Sequence, residues 1–196
     1  QLRDLAEFLG IPVCTSLGGK SAFPEDHPLS LGTAGLAHPK AVYDYLHQAD
    51  LIFGIGCSFT ETNFGIKMPQ NKRIIHATLD PLDLNKDVTI EVGLLGDAAL
   101  IIDALLVVLR GEVSTPRQYD EITKNIASVQ RKWLSDWLPK LTSNSTPLNP
   151  YRVLWDLQKT VNKDNTIITH DAGSPRDQLS PFWQATKPLS YIGWGK

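Results

Sequence analysis

Sulfur is scarce in this sequence, with two cysteines and one methionine among 196 residues. Cys14 and Cys57 each sit at the end of an apolar run and make neither a disulfide framework nor a metal motif. The expected compartment is therefore a reducing one, the cytoplasm, and both are read as core thiols. Long apolar runs are lacking too. The longest, Ala98 to Leu109, is interrupted by Asp103 and is too short to span a bilayer, and the N-terminus has no basic, apolar, small-residue secretion pattern. Nor is there an excess of one charge. With 19 basic and 21 acidic residues the net charge is -2, which gives no electrostatic reason to bind nucleic acid or a membrane surface. The histidines His27, His38, His47, His76 and His170 show no ligand spacing and no carboxylate placed to complete a zinc site, so no metal site is expected. Ser174 lies in no nucleophile elbow and Cys57 has no base beside it, which leaves hydrolase and thiol chemistry without support.

What is present is enough apolar residue, 42% of the chain, for a core, and a length that fits one large domain or one domain and part of another. The stretch Asp50 to Phe59 organises the rest. An apolar run, Leu51-Ile52-Phe53, that breaks into Gly54-Ile55-Gly56 and then Cys57-Ser58 has the form of a buried parallel strand whose carboxyl end opens into a ligand crevice.

Leu2, Leu5, Ala6, Phe8 and Leu9 recur at helical spacing up to Gly10, and Ile11 to Thr15 reads as a short strand. Ser16 to Gly35 carries Gly18, Gly19, Pro24, Pro28, Gly32 and Gly35, and is expected to be a long irregular loop. A helix opening at His38-Pro39 delivers the chain to the Leu51 strand. Lys72 to Leu79 is a further strand, Asp80-Pro81 caps a short helix through Asn85, and Val88 to Leu95 supplies another apolar segment. Gly96-Asp97 caps a helix from Ala98 to Arg110 that Gly111 ends. This alternation predicts an α/β fold with a parallel sheet whose crevice is lined by Ser16 to Gly19, Gly56 to Thr60, Thr78 to Pro81 and Gly96-Asp97.

Past a linker at Val113 to Pro116, Gln118 to Leu138 is a long polar helix with Ile122, Ile126, Val129, Trp133 and Trp137 on one packing stripe. Thr142 to Pro147 marks a boundary. A helix from Asn149-Pro150 and a strand Thr166 to His170 follow, then the turn Asp171-Ala172-Gly173-Ser174-Pro175 into a helix reaching about Ala185, and a strand from Leu189 to Ile192. The free N–H groups of Ala172-Gly173-Ser174 suit an anion such as a diphosphate. His170 and Asp171, neighbours on a strand, point to opposite faces and make no catalytic pair.

In this order the segments Gly18-Gly19-Lys20-Ser21-Ala22-Phe23-Pro24-Glu25-Asp26-His27-Pro28-Leu29 with Leu31-Gly32, Ala49 to Phe59, Ile74-Ile75-His76 to Asp80, and Gly96-Asp97 resemble the thiamine-diphosphate-dependent enzymes of the acetolactate synthase and pyruvate oxidase group. The resemblance implies a three-layer, Rossmann-like (DHS-like) middle domain over residues 1–111. A linker with its long helix would follow over 112–146, and the beginning of a diphosphate-binding domain, an incomplete second α/β unit, over 147–196. It implies a small 2-keto acid as substrate, thiamine diphosphate and Mg2+ as cofactors of the parent enzyme, and a homodimer or homotetramer. Thiamine diphosphate would meet Asp171, Ala172, Gly173 and Ser174 with Gly193, Trp194 and Gly195. Some middle domains of the group hold FAD or ADP, which here would meet Gly56, Cys57, Ser58, Thr78, Leu79, Asp97 and Ala98. Acetolactate synthases usually carry Arg where Ser58 stands and Asp where Thr78 stands, so weak or no FAD binding is expected.

The resemblance also implies parts outside residues 1–196: a pyrimidine-binding domain with the glutamate that activates the cofactor, the first strand-helix unit of the middle domain, and a Gly-Asp-Gly to Asn-Asn magnesium stretch. The sequence starts at Gln1 rather than Met and is read as a processed chain or excised piece of a longer enzyme, inactive by itself. The other reading is a nucleotide-binding or structural α/β module without chemistry. A final expectation is that Trp155, Phe182, Trp183, Tyr191 and Ile192 form an apolar face that a monomer cannot bury, leaving 147–196 less stable than 1–111 or packed on another copy.

Overall fold

The computed structural model describes residues 1–63 and 65–194. Helix α1, Leu2–Leu9, buries Leu5 and Ala6 and ends at Gly10. It leads to β1, Val13–Ser16, which pairs in parallel with β2, Ser30–Ala34. The expected irregular loop from Ser16 to Gly35 is thus corrected, because its end is a strand. Phe23, Leu29 and Leu31 are buried, so the segment does have an inner face. The Val13 N–H donates to the Leu29 carbonyl at 2.9 Å, and the Thr15 and Thr33 hydroxyls meet at 3.2 Å. Gly32 and a register shift between Val13 and Cys14 break the alternation that would have betrayed β2.

Helix α2, Lys40–Gln48, carries the chain to β3, Leu51–Ile55, which pairs with β4, Arg73–Thr78, and β4 with β5, Val92–Leu95, all in parallel. Asp80 caps a short 3-10 turn, Pro81–Asp83, accepting from the Leu82 N–H at 2.9 Å. Helix α3 spans Ala98–Glu112 and so runs through Gly111 rather than stopping there; the Val113 N–H still reaches the Leu109 carbonyl at 2.8 Å. The strands of residues 1–111 divide into two sheets, β1-β2 and β3-β4-β5, instead of the single one expected. The helices hold them in one body. On one side Ala41, Val42 and Leu46 of α2 pack against Cys14, Ala34 and Ile52; on the other, Leu5 of α1 and Ile102 and Leu106 of α3 pack against Phe53 and Ile55. The result is an α/β arrangement with parallel sheets, as the strand-helix alternation predicted, in the three layers that the resemblance implied.

Helix α4, Asp120–Leu141, buries Ile126 against α2, and α5, Pro150–Thr160, starts on an Asn149 cap whose Oδ1 accepts from the Tyr151 N–H at 3.0 Å. A 3-10 turn, Lys163–Asn165, precedes β6, Ile168–His170, which pairs in parallel with β7, Tyr191–Gly193. Between them α6 covers only Ser174–Leu179, well short of Ala185, since Pro181 brings no N–H to continue the helical ladder.

Most of the apolar face expected to stay uncovered is buried within the chain. Trp133 stacks on Phe182 at 5.1 Å and 16°, with Trp137 and Tyr151 edge-on to the same ring. Leu179, Trp183, Ala185 and Tyr191 form a core completed by Leu17, Leu154, Val161 and Ile168. The stripe on α4 and the loop after β1 supply the cover that strand counting within 147–196 could not foresee. Ile192 and Trp194 do remain exposed.

Candidate functional site

The turns after β3, β4 and β5 lie side by side because the ladder runs past the strand ends. The Gly56 N–H donates to the Ala77 carbonyl at 2.8 Å and the Gly96 N–H to the Thr78 carbonyl at 3.0 Å. Gly56, Cys57, Ser58, Thr78, Leu79, Asp97 and Ala98 are therefore neighbours at one carboxyl edge, where a parallel sheet places ligands. Their polar side chains are engaged by residues two or three positions along the chain. Asp97 Oδ1 accepts from the Ala99 and Leu100 N–H groups at 2.9 and 3.2 Å, so its own carboxylate satisfies the start of α3. Ser58 Oγ meets Thr60 Oγ1 at 2.8 Å. Buried Thr78 accepts from the Asp80 N–H at 3.2 Å. Leu79 stands out into solvent.

Over the sheet end lies Phe59, which takes a positive φ of 50° and folds back. Its ring sits edge-on to His76, centroids 4.9 Å apart, and a Cβ on Gly54 would come within 2.2 Å of it. Gly54 is thus needed for a close approach, but by Phe59 rather than by a ligand. Fully buried His76 is bonded through Nε2 to the Cys57 carbonyl at 2.6 Å. Burial raises the Cys57 thiol above its ordinary pKa, and burial followed by the nearby Cys57 pushes Cys14 up to about 11. Both cysteines are free, protonated thiols rather than nucleophiles. The Phe59 ring covers Gly54 and Asp97 already caps α3, whereas Gly56 is open, a Cβ there touching nothing within 4 Å, and position 58 carries an uncharged serine.

A second set of turns sits at the joint ends of β6 and β7. Asp171, Ala172, Gly173 and Ser174 are exposed, and Asp171 Oδ1 shapes the turn by accepting from the Ala172 N–H at 2.7 Å. Gly173 adopts φ 80°, a Cβ there would touch nothing within 4 Å, and no side chain caps the first turn of α6. Opposite, Gly193 lies against the His170 ring, where a Cβ would meet Cε1 and Nε2 at 3.1 Å, and the Trp194 N–H donates to the His170 carbonyl at 3.0 Å. His170 Nδ1 engages the Asp171 backbone carbonyl at 2.9 Å, not its carboxylate. An open, uncapped backbone turn beside a second strand end fits an anionic group such as a diphosphate. Gly195 lies outside the described residues.

Sequence reasoning overlooked Phe59 as the ring that packs on Gly54 and His76, and Lys20 and Glu25 as buried charges. Nothing in the sequence marks a phenylalanine that will adopt positive φ. The run Lys20 to Glu25 was visible only as a motif. Among the described residues no three His, Cys, Asp or Glu side chains come together as a metal site, and no helix is long and apolar enough to cross a membrane.

A parallel α/β chain with helices on both faces and strand-end turns open to an anion is the class that fold and site define. Residues 1–105 match the family described as the thiamine pyrophosphate enzyme central domain, and the chain belongs to that family. Along its whole length it is similar to the probable acetolactate synthase large subunit of Methanocaldococcus jannaschii, 32% identical and covering 33% of that protein. It is likewise similar to the acetolactate synthase of Mycobacterium leprae, 35% identical over 31% of it, and to the isozyme 3 large subunit of Escherichia coli, 29% identical over 34%. The chain spans about a third of the length of these relatives.

Proposed function

We propose that residues 1–196 belong to a longer thiamine-diphosphate- and Mg2+-dependent enzyme of acetolactate-synthase type that acts on a small 2-keto acid as a homodimer or homotetramer in the cytoplasm. One observation carries the reading: the similarity to acetolactate synthase large subunits is not confined to the central domain but covers 100% of the chain, including the β6 and β7 turns. In this reading residues 1–111 are a structural central domain, and residues 147–196 begin the cofactor-binding domain.

Thiamine diphosphate, when bound, supplies the carbanion-stabilising ylid. The residues of this chain bind and orient. The turn at Gly173 and Ser174 offers backbone N–H groups to the diphosphate, Asp171 fixes that turn through the Ala172 N–H, and Gly193 and Trp194 form the facing lip. No side chain within residues 1–196 is assigned to activate the thiazolium carbon, so the chain alone is expected to lack activity.

The experiment pairs residues 1–196 with the longer protein, each supplied with pyruvate, thiamine diphosphate and Mg2+. Acetolactate or acetaldehyde should form only with the longer protein and should cease when a chelator is added. Turnover by residues 1–196, or a longer protein indifferent to thiamine diphosphate, would overturn the reading.

A further inference from the structure

Among the described residues the most enclosed ion pair is Lys20–Glu25, with side chains 1% and 6% exposed. Removing two charges from water costs several kcal/mol each unless every lone pair and proton finds a partner, so such a pair is a weak stabiliser and a strong specifier of one geometry. Here the partners are found. Lys20 Nζ donates to both Glu25 oxygens at 2.5 Å and to Thr33 Oγ1 at 3.2 Å, and Thr33 Oγ1 donates to Glu25 Oε1 at 2.7 Å. A third donor to the carboxylate comes from far along the chain. The Ala185 N–H reaches Glu25 Oε2 at 2.8 Å, while the Glu25 N–H donates back to the Ala185 carbonyl at 2.9 Å.

The contact continues toward the β6–β7 turns. Lys20 Nζ lies 5.2 Å from the Tyr191 ring centroid, the Tyr191 ring lies 5.0 Å from that of His170, and His170 is the ring on which Gly193 rests. Thr33 in turn touches Thr15, so the pair is rooted in β1 and β2. Burial lowers the pKa of Lys20, which the charge of Glu25 opposes. Loss of one partner would leave the other a buried charge.

We propose that Lys20 and Glu25 are positioning residues, which register β6–β7 against β1–β2 and thereby hold Asp171–Ser174 and Gly193–Trp194 in place for the diphosphate. The cofactor half of this statement rests on the proposed function; the register half does not.

Glu25→Gln removes one charge with little change of shape, and Lys20→Met with Glu25→Gln removes both and leaves no unpaired charge to block folding. In residues 1–196, amide exchange at 168–170 and 191–193 should quicken by about tenfold or more in either variant, with 51–55 and 73–78 changed less than about twofold. In the longer protein, the thiamine diphosphate concentration for half-maximal rate should rise on the order of tenfold, with kcat at saturating cofactor falling by less than about threefold. Exchange that quickens evenly across both sets of strands, or not at all, would overturn the register. Selective quickening with an unaltered half-saturating concentration would overturn the link to the cofactor. A longer protein needing no thiamine diphosphate would sink the functional reading and that link with it, while exchange in residues 1–196 would still decide the register.

Discussion

Adding a single methyl group at Gly54 tests whether Phe59 packs down on Gly54 of β3. The Cβ of Gly54→Ala would lie 2.2 Å from two ring carbons of Phe59 and 2.9 Å from Cys57 Sγ. Ordinary contact begins near 3.4 Å, so the ring must withdraw by more than an ångström. It has little room to do so, being held by a backbone at positive φ and by the fully buried His76, itself bonded to the Cys57 carbonyl. Overpacking of this kind costs about 1–3 kcal/mol, and with so confined a ring the upper half of that range, about 2–3 kcal/mol, is expected. Phe59→Ala alone removes a half-buried phenyl and should cost about 2 kcal/mol, roughly half of a fully buried Phe→Ala change. In the double variant the clash with the ring has gone and the 2.9 Å approach to Cys57 Sγ remains, so the total should stay at about 2–3 kcal/mol, a coupling of roughly 2 kcal/mol between the two sites. Urea unfolding followed by far-UV circular dichroism at unchanged m value measures each corner of the cycle. All five tryptophans lie at position 133 or beyond, so tryptophan fluorescence gives a second transition that reports on the other part of the chain. Additivity within about 0.5 kcal/mol, or a Gly54→Ala chain as stable as wild type, would refute the packing of Phe59 on Gly54.

Three further outcomes are expected. Purified residues 1–196 should be colourless and added FAD should keep its free fluorescence; a yellow chain with stoichiometric flavin would reassign Gly56, Thr78 and Asp97 as cofactor ligands. Burial raises the Cys14 thiol from 9.0 to about 11, so its contribution to stability is complete below pH 9 and is lost as the pH climbs through 11, to a total of about 2–3 kcal/mol. Urea midpoints of wild type and Cys14→Ala should therefore draw together between pH 9 and 11, and a constant gap would contradict the burial. Arg152 Nη1 donates to the Thr142 and Ser143 carbonyls at 3.3 Å and to Asn144 Oδ1 at 2.7 Å, so Arg152→Ala should speed proteolytic nicking at 142–147 several-fold; unchanged nicking would show that the clamp does not hold the segment.

How far the sequence could be read depended on the range of the interactions involved. The β3 strand was legible because a strand covered on both faces is a continuous apolar run, and the Asp97 and Asn149 caps were legible because a cap is settled within three residues. The strand-end turns followed from the order of elements alone. By contrast, β2 was hidden by its Ser, Gly and Thr residues, whose extended state is imposed by pairing to β1. The burial of Phe182 and Tyr191 depended on α4 and Leu17, which no local pattern in residues 147–196 announces. Phe59 was overlooked for a different reason: its backbone sits where a bulky residue rarely goes, so propensity argues against the observed state. The Glu25–Ala185 contact joins residues 160 apart, beyond the reach of any periodicity.

That span also bears on the order of assembly. Closing a loop of 160 residues costs on the order of 4–5 kcal/mol of chain entropy before any contact is gained. Lys20, Glu25 and Thr33 lie within 14 residues of sequence and can meet early, but Glu25 Oε2 waits for the Ala185 N–H. On a ribosome β1 and β2 emerge while Ala185 is still unmade, and until then the carboxylate lacks one donor and must keep water there. Making this contact is therefore a drying step, in which a backbone N–H from 160 residues away replaces that water.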